Sequence, residues 1–402
     1  MSARWDVAVI GGGLVGLGAA YALARGPGRP RVVVLEAERA LASHQSSHNS
    51  GVLHAGLYYA PGSLKARLCT RGRAAMERFC EERGVAFART GKVVVATHDG
   101  ELAALAELER RGLANGVRLR RAGIDELRER EPHVAGVAGL VVEDTGVVDF
   151  RGVAGALAVA LEAELGGEVR RGFRVTAITR RSDGVMVSGP GGEIEAKNLV
   201  ACAGLHADHV ARLAGLDPGV AIVPFRGEYW ELAPARRDLC RTAIYPVPDP
   251  RFPFLGVHYT RRFDGAVECG PNAVLALARE GYRRRDVDPR AILEMARWPG
   301  FRRLAAQNLR FGLSEAYRSL RKDAFVRALQ RLVPEVRAAD LARGGSGVRA
   351  QAVDAEGNLV SDFAFARAPR MLHVMNAPSP AATASLAIGE HLAELARDVF
   401  VD

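Results

Sequence analysis

Apolar runs and glycine punctuation divide the chain into strands and helices. WDVAVI (5–10) is a short β-branched and apolar run of the kind a buried strand carries. GGGLVG follows at once. LVGLGAAYALARG then reads as an amphipathic to buried helix, and RVVVLEAE as a second strand ending on Glu36. A long helix is predicted over 63–84, stopped by Gly84, then a strand at KVVVAT (92–97) and a helix over 101–116. Residues 139–167 read as strand, turn and helix. Residues 173–204 read as two or three short strands joined by Gly turns, closing on the buried run NLVACAG. From Val220 to about Gly281, PFRGEYWEL, AIYPVPDP, FPFLGVHYT and GAVECGPNAV are strands with aromatic and Pro/Gly punctuation, which predicts a second, mostly antiparallel sheet. Residues 285–341 read as helical and Arg-rich. Strands return at 344–353, 358–365 and 370–377, and a last helix follows the turn PSPAAT (378–383), whose N–H groups suit something anionic or polar.

Within this pattern Gly11, Gly13 and Gly16 stand in G-x-G-x-x-G spacing between a strand and a helix, and Glu36 ends the next strand twenty residues beyond Gly16. The first glycine permits the tight turn, the second lets backbone approach a pyrophosphate, and the third lets helix and strand pack closely. The helix N-terminus offers unpaired N–H groups to the phosphates. The Glu36 carboxylate suits a ribose 2′-OH and disfavours a 2′-phosphate, which would call for an arginine. The unit therefore predicts an adenine dinucleotide, NAD or FAD.

Composition narrows the classes. The 402 residues suit two or three domains, or one large α/β domain with an insertion, and 48% apolar residues supply ample core. The net charge is +9, but the basic residues are almost all arginine, spread along the chain and mixed with 46 acidic residues. No basic block interleaved with aromatics exists, so nucleic acid is not an expected partner. Five cysteines without a Cys-x-x-Cys suit a reducing cytoplasm rather than a disulfide framework or zinc site. The uncharged run Val7–Ala24 could mimic a signal peptide, but five glycines interrupt it and it continues directly into another strand.

Three long strings carry a more specific signal: SSHNSGVLHAGLYYAPGSLKARLC (46–69), IYPVPDPRFPFLGVHYT with DGAVECGPNAVLAL, and HVMNAPSPAATASLAIG. With them the whole chain resembles the glycine/D-amino-acid oxidase superfamily of FAD enzymes, and within it the L-2-hydroxyglutarate oxidases and dehydrogenases. The resemblance implies an α/β fold: an FAD-binding Rossmann-like domain (1–85, 145–218 and 340–402) with an interleaved α+β substrate domain (86–144 and 219–339) on a largely antiparallel sheet. It implies FAD held without a covalent bond, and oxidation of the C2 alcohol to 2-oxoglutarate by hydride transfer to flavin N5. Gly11, Gly13 and Gly16 match the pyrophosphate turn and Glu36 the ribose-binding acid. Ser47, His48 and Asn49 match the passage beside the flavin, and Val175 a strand whose backbone meets the adenine. Ala203 and Gly204 match a further flavin-side turn, and Pro380, Ala381 and Thr383 the loop facing the isoalloxazine carbonyls. Arg349 resembles the position whose arginine grips the substrate carboxylate, although many relatives carry Gly-x-Arg-Pro there and this chain has Val-Arg-Ala-Gln.

Oxidising a 2-hydroxy acid requires a clamp for its carboxylates and an acceptor for the hydroxyl proton. A neutral histidine suits the acceptor near neutral pH. His54, in the Gly-rich loop, and His258, on the strand LGVHYT, are the candidates; a structural histidine, or for His54 a covalent flavin link, is the competing reading. His48 is placed toward the cofactor, and His373 as a buttress of the C-terminal loop. His206 and His209 have metal-like spacing but lack a third ligand nearby in sequence, so no metal is expected. Arginine forks suit carboxylates, so Arg226, Arg261 and Lys65 are candidates for the second carboxylate. Tyr58, Tyr245 and Asn272 are candidate pocket residues. The small partner is a dicarboxylate 2-hydroxy acid, with oxygen or a quinone as electron acceptor. A basic amphipathic helix within 285–331 allows a peripheral contact with the inner face of the cell membrane, against the plainer reading of a solvated helix. Alternatives are an amine/sarcosine-type or glycerol-3-phosphate-type FAD oxidoreductase, or a non-catalytic dinucleotide-binding sensor.

Overall fold

The computed structural model describes residues 4–248, 256–309, 312, 315, 319 and 321–400. The opening pattern forms as read: β1 (Trp5–Ile10), α1 (Leu14–Ala24) and β2 (Val32–Glu36). β1 is the centre of an eight-stranded sheet, parallel to β2 on one side and to the C-terminal half of Gly192–Ala201 on the other. Glu168–Arg171 extends the sheet beyond β2, and Met371–Asn376 pairs in parallel with Gly192–Ala201. Every residue of β2 is buried, as expected of a parallel sheet covered on both faces. One face is covered by α1 and the helices Phe150–Glu164 and Ser385–Ala396.

The texture change after Val220 marks a nine-stranded second sheet, antiparallel except where Lys92–Ala96 runs parallel to Ala243–Pro246. Its longest ladder pairs Val220–Leu232 with Leu341–Asp354. The strand Leu341–Asp354 thus pairs into the second sheet, just past the boundary expected at 340, and the chain rejoins the first sheet at Ala364–Ala368. A small third sheet joins β3 (Val52–Leu53) to Gly146–Val148 and Phe87–Ala88.

Several elements differ from expectation for local reasons. The strand expected at 358–365 forms only from Ala364. Before it, Asp362 turns to accept the Leu64 and Lys65 N–H groups at 2.9 Å each, at the start of α2 (Leu64–Arg83). Ser63 caps the same helix by accepting from the Ala66 N–H. The helical stretch expected at 285–341 divides into Pro289–Arg297, Pro299–Gln307 and Lys322–Gln330. Trp298 holds the extended conformation that a following proline favours, which separates the first two. Val175 lies in a segment without regular structure just before the strand Ala177–Arg180, not inside it. Most of 310–320, and the beginning of FPFLGVHYT, lie outside the described residues. Among the described residues no helix is long and apolar enough to cross a membrane.

Candidate functional site

One cavity of about 1510 Å³ runs from the β1–α1 turn to the second sheet. That exceeds the usual range of about 300–1,000 Å³ for a drug-sized ligand and suits a dinucleotide with a substrate beside it.

At one end lies the glycine turn. Gly11 holds φ +107°, and a Cβ there would stand 2.4 Å from the Cys202 carbonyl oxygen. A Cβ on Gly16 would stand 1.9 Å from the Gly11 oxygen, so α1 crosses the turn at backbone contact. Gly13 lines the cavity. Glu36 is 8% exposed, and its two carboxylate oxygens accept from the Gly12 N–H (2.6 Å) and the Glu38 N–H (2.8 Å). Held this way, it keeps lone pairs for ribose hydroxyls. Val175, Ala203 and Gly204 line the same end. Glu38, His44 and Glu280 bring ligand-type atoms within 4.8 Å of one another, and Arg174 bridges the two carboxylates, its Nη2 lying 2.8 Å from Glu38 and 3.8 Å from Glu280. His206 and His209 pair with different carboxylates, Glu280 and Glu294, at 2.9 Å each.

The loop 44–54 then follows the cavity. His48 and Asn49 line it, while Ser47 does not. The serine that reaches the nucleotide turn is Ser46, whose Oγ accepts from the Leu14 N–H at 3.0 Å. His48 donates through Nδ1 to the His44 carbonyl (3.0 Å) and packs 4.3 Å from the Tyr282 ring. Asn49 donates to the Gln45 and Ser46 carbonyls and accepts from Gly51, which shapes the loop. Pro380, Ala381 and Thr383 line the opposing turn. Thr383 is a strut: its hydroxyl donates to the Val52 carbonyl and accepts from the His54 N–H, both at 3.1 Å.

At the far end the second sheet closes the cavity, and His54, Tyr58, Tyr59, Lys65, Tyr229, Tyr245, His258 and Arg349 gather there. His54 brings Nε2 to 3.4 Å from Ser379 Oγ and buries Nδ1 without a partner. Burial first, then the charges of Lys92, His258 and Arg349, push its pKa down to about 3. His258 donates Nδ1–H to the Gly256 carbonyl at 2.8 Å, which fixes its tautomer, and stacks 3.9 Å from the Tyr245 ring. Burial takes its pKa to about 4, with Arg349 and Lys92 adding to the fall. Both rings are therefore neutral at physiological pH. The half-buried Lys65 is lowered by burial and by Arg349 across the cavity, against the opposing pull of Asp362.

Three expected pocket residues are elsewhere, because the backbone takes their polar groups. Arg226 binds the Gly281 and Arg283 carbonyls and Glu228. Arg261 binds the Cys240, Arg237 and Gly265 carbonyls. Asn272 accepts from the Glu228 N–H at 2.8 Å. None of the three lines the cavity, and neither does His373, which is 1% exposed. Sequence reasoning passed over Ser46, Tyr229 and Lys92. A lysine opening the otherwise apolar run KVVVA was the available signal for the last of these, since buried lysines are rare without a partner.

A glycine turn no side chain can enter, a buried carboxylate held by two backbone N–H groups and a cavity of this volume fit FAD. The chain matches the FAD dependent oxidoreductase family over residues 6–395 and belongs to it. Its relatives include the L-2-hydroxyglutarate dehydrogenase of Escherichia coli K12, 44% identical over 96% of this chain and 92% of that protein. The enzyme of the same name from Indibacter alkaliphilus is 45% identical over 98% of each. Among solved structures, the FAD-bound L-alpha-glycerophosphate oxidase of Mycoplasma pneumoniae superposes with a TM-score of 0.80 at 23% identity, over 98% of this chain and 95% of that one.

Proposed function

We propose that this protein oxidises L-2-hydroxyglutarate to 2-oxoglutarate. The observation that carries the reading is the far end of the cavity, where two neutral histidines sit beside the cations Lys65 and Arg349. Gly11, Gly13, Gly16 and Glu36 would hold the FAD, which supplies the two-electron acceptor. The Arg349 fork and the Lys65 ammonium hold the two carboxylates and so orient C2. His54, neutral and anchored through its N–H to the Thr383 strut, accepts the C2 hydroxyl proton. His258, fixed by Gly256 and stacked on Tyr245, shapes the wall beside it.

Anaerobic addition of L-2-hydroxyglutarate should bleach the flavin spectrum, and the D-enantiomer should not. Flavin that neither enantiomer bleaches refutes the reading. Arg349→Ala should lower kcat/KM about 10²–10³-fold, the usual consequence of removing one partner of a close charge pair. Lys65→Ala should cost only about 10-fold, because water reaches its half-buried amine.

For the acceptor we favour a membrane quinone over oxygen. On the helix Pro289–Arg297, Arg290, Leu293 and Arg297 share the exposed face opposite buried Ala291 and Met295. Leu293 is 49% exposed and Val287 52%. An arginine-flanked apolar face suits an anionic bilayer at the cytoplasmic surface of the cell membrane. Vesicles containing phosphatidylglycerol should sediment the protein at low salt and release it at about 0.5 M salt, where screening is strong. Phosphatidylcholine vesicles should not. Leu293→Glu should abolish sedimentation. Turnover with stoichiometric hydrogen peroxide and no vesicle binding would assign the acceptor role to oxygen.

A further inference from the structure

Lys92 is 2% exposed, yet it opens a strand of the second sheet among valines. Its Nζ donates to Tyr58 Oη at 3.3 Å and lies 4.4 Å and 4.6 Å from the ring centres of Tyr58 and Tyr245. Both tyrosines line the cavity, whereas Lys92 does not, so the amine stands behind the tyrosine wall. Among the described residues no carboxylate lies within ion-pair distance of it. α2 presents Cys69 toward it. The pair at the same register on the neighbouring strand is Val142. Beyond Val142, Glu143 is held by Arg130, and Asp144 by Arg73 and Arg118. Among the described residues, His54 and His258 lie close enough to feel its charge, and both feel Arg349 as well. Two aromatic faces attract an ammonium, but they do not neutralise it. A methionine would fill the same space without the cost of burying a charge.

A dianion entering the cavity supplies the missing counter-charge. We propose that Lys92 is a positioning residue that gives the site a proton-linked positive charge, its amine taking a proton from solvent when a dicarboxylate binds and returning it when the dicarboxylate leaves. The inference rests on the reading of the cavity as a dicarboxylate site. Burial supports it by lowering the amine to about 7 in the empty site. The sign follows. Above that pH the empty site holds a neutral amine and the complex a charged one, so binding takes up a proton. Well below it the amine is already charged and binding takes up almost none. Affinity for the dianion should therefore weaken as pH rises through 7, toward a limit of about tenfold per pH unit. The histidines lie too low, at about 3 and about 4, to be the groups that take up that proton at pH 8.

The test is calorimetric titration of 2-oxoglutarate, which cannot reduce the flavin, into the FAD-loaded oxidised protein. Paired buffers of different ionisation enthalpy report the protons taken up. The wild type should take up about 0.9 proton at pH 8 and about 0.1 at pH 6, as a group titrating near 7 requires. Lys92→Met should bind with no uptake at either pH. Lys92→Arg, permanently charged, should bind with no uptake and with equal affinity at both pH values. Saturable binding to the wild type at pH 8 without proton uptake overturns the proposal, whatever the variants do. Uptake that persists in Lys92→Met reassigns the proton to another group and also overturns it. No saturable binding of 2-oxoglutarate to the wild type overturns the dicarboxylate reading, and this inference with it.

Discussion

Replacing Gly16 with alanine should yield a colourless protein. The added methyl would stand 1.9 Å from the Gly11 carbonyl oxygen, well inside van der Waals contact. Neither partner can give way. The Gly11 N–H is tied to the Leu35 carbonyl at 2.9 Å, and the turn itself rests against the Cys202 carbonyl. α1 must therefore move off β1, which pulls its N-terminal N–H groups away from the pyrophosphate position. Overpacking of this kind costs about 1–3 kcal/mol or more, and the same displacement removes the phosphate cradle. Bound flavin, measured by visible absorbance against protein, should fall at least about 10-fold. The thermal transition should fall as well. A yellow Gly16→Ala protein with unchanged flavin content would refute this account of the turn.

The second large effect should come from His54. His54→Ala should retain flavin, because the strut uses the His54 backbone N–H and Thr383, not the imidazole. Anaerobic flavin reduction by L-2-hydroxyglutarate should slow by about 10²–10⁴-fold, the usual worth of a general base. His258→Ala should cost less, about 10-fold, through loss of its packing against Tyr245. The reverse order, with His258→Ala the more damaging, would make His258 the base. That outcome has a physical route, since the Gly256 carbonyl holds its proton on Nδ1 and leaves the Nε2 lone pair free to accept.

Local rules made the nucleotide end of the molecule legible. β1, the glycine turn, α1, β2 and Glu36 are contiguous, and each has a short-range reason to form. Arg226, Arg261 and Asn272 show where such reasoning stops. Each stood in a suggestive string, and in each the polar groups turned out to serve nearby backbone: the Gly281 and Arg283 carbonyls, the Cys240 carbonyl and the Glu228 N–H. An arginine looks the same in sequence whether it grips a ligand or a carbonyl. Ser47 fails for a smaller reason. The bend of the 44–49 loop sends Ser46, one residue earlier, to the α1 N-terminus.

The sequence by itself determined the dinucleotide unit, the family and the run of the 46–69 loop beside the cavity, because these depend on contiguous residues with rigid geometric needs. Only the tertiary structure decided which distant groups meet. The pairing of Val220–Leu232 with Leu341–Asp354 carries Arg349 to the cavity, the strut from Thr383 fixes His54, and two tyrosines from separate segments enclose Lys92. The physical reason is that charge and protonation depend on what surrounds a group. His54, His258 and Lys92 carry ordinary side chains, and it is burial, with no carboxylate beside them among the described residues, that keeps the two histidines neutral and brings the lysine down to about 7.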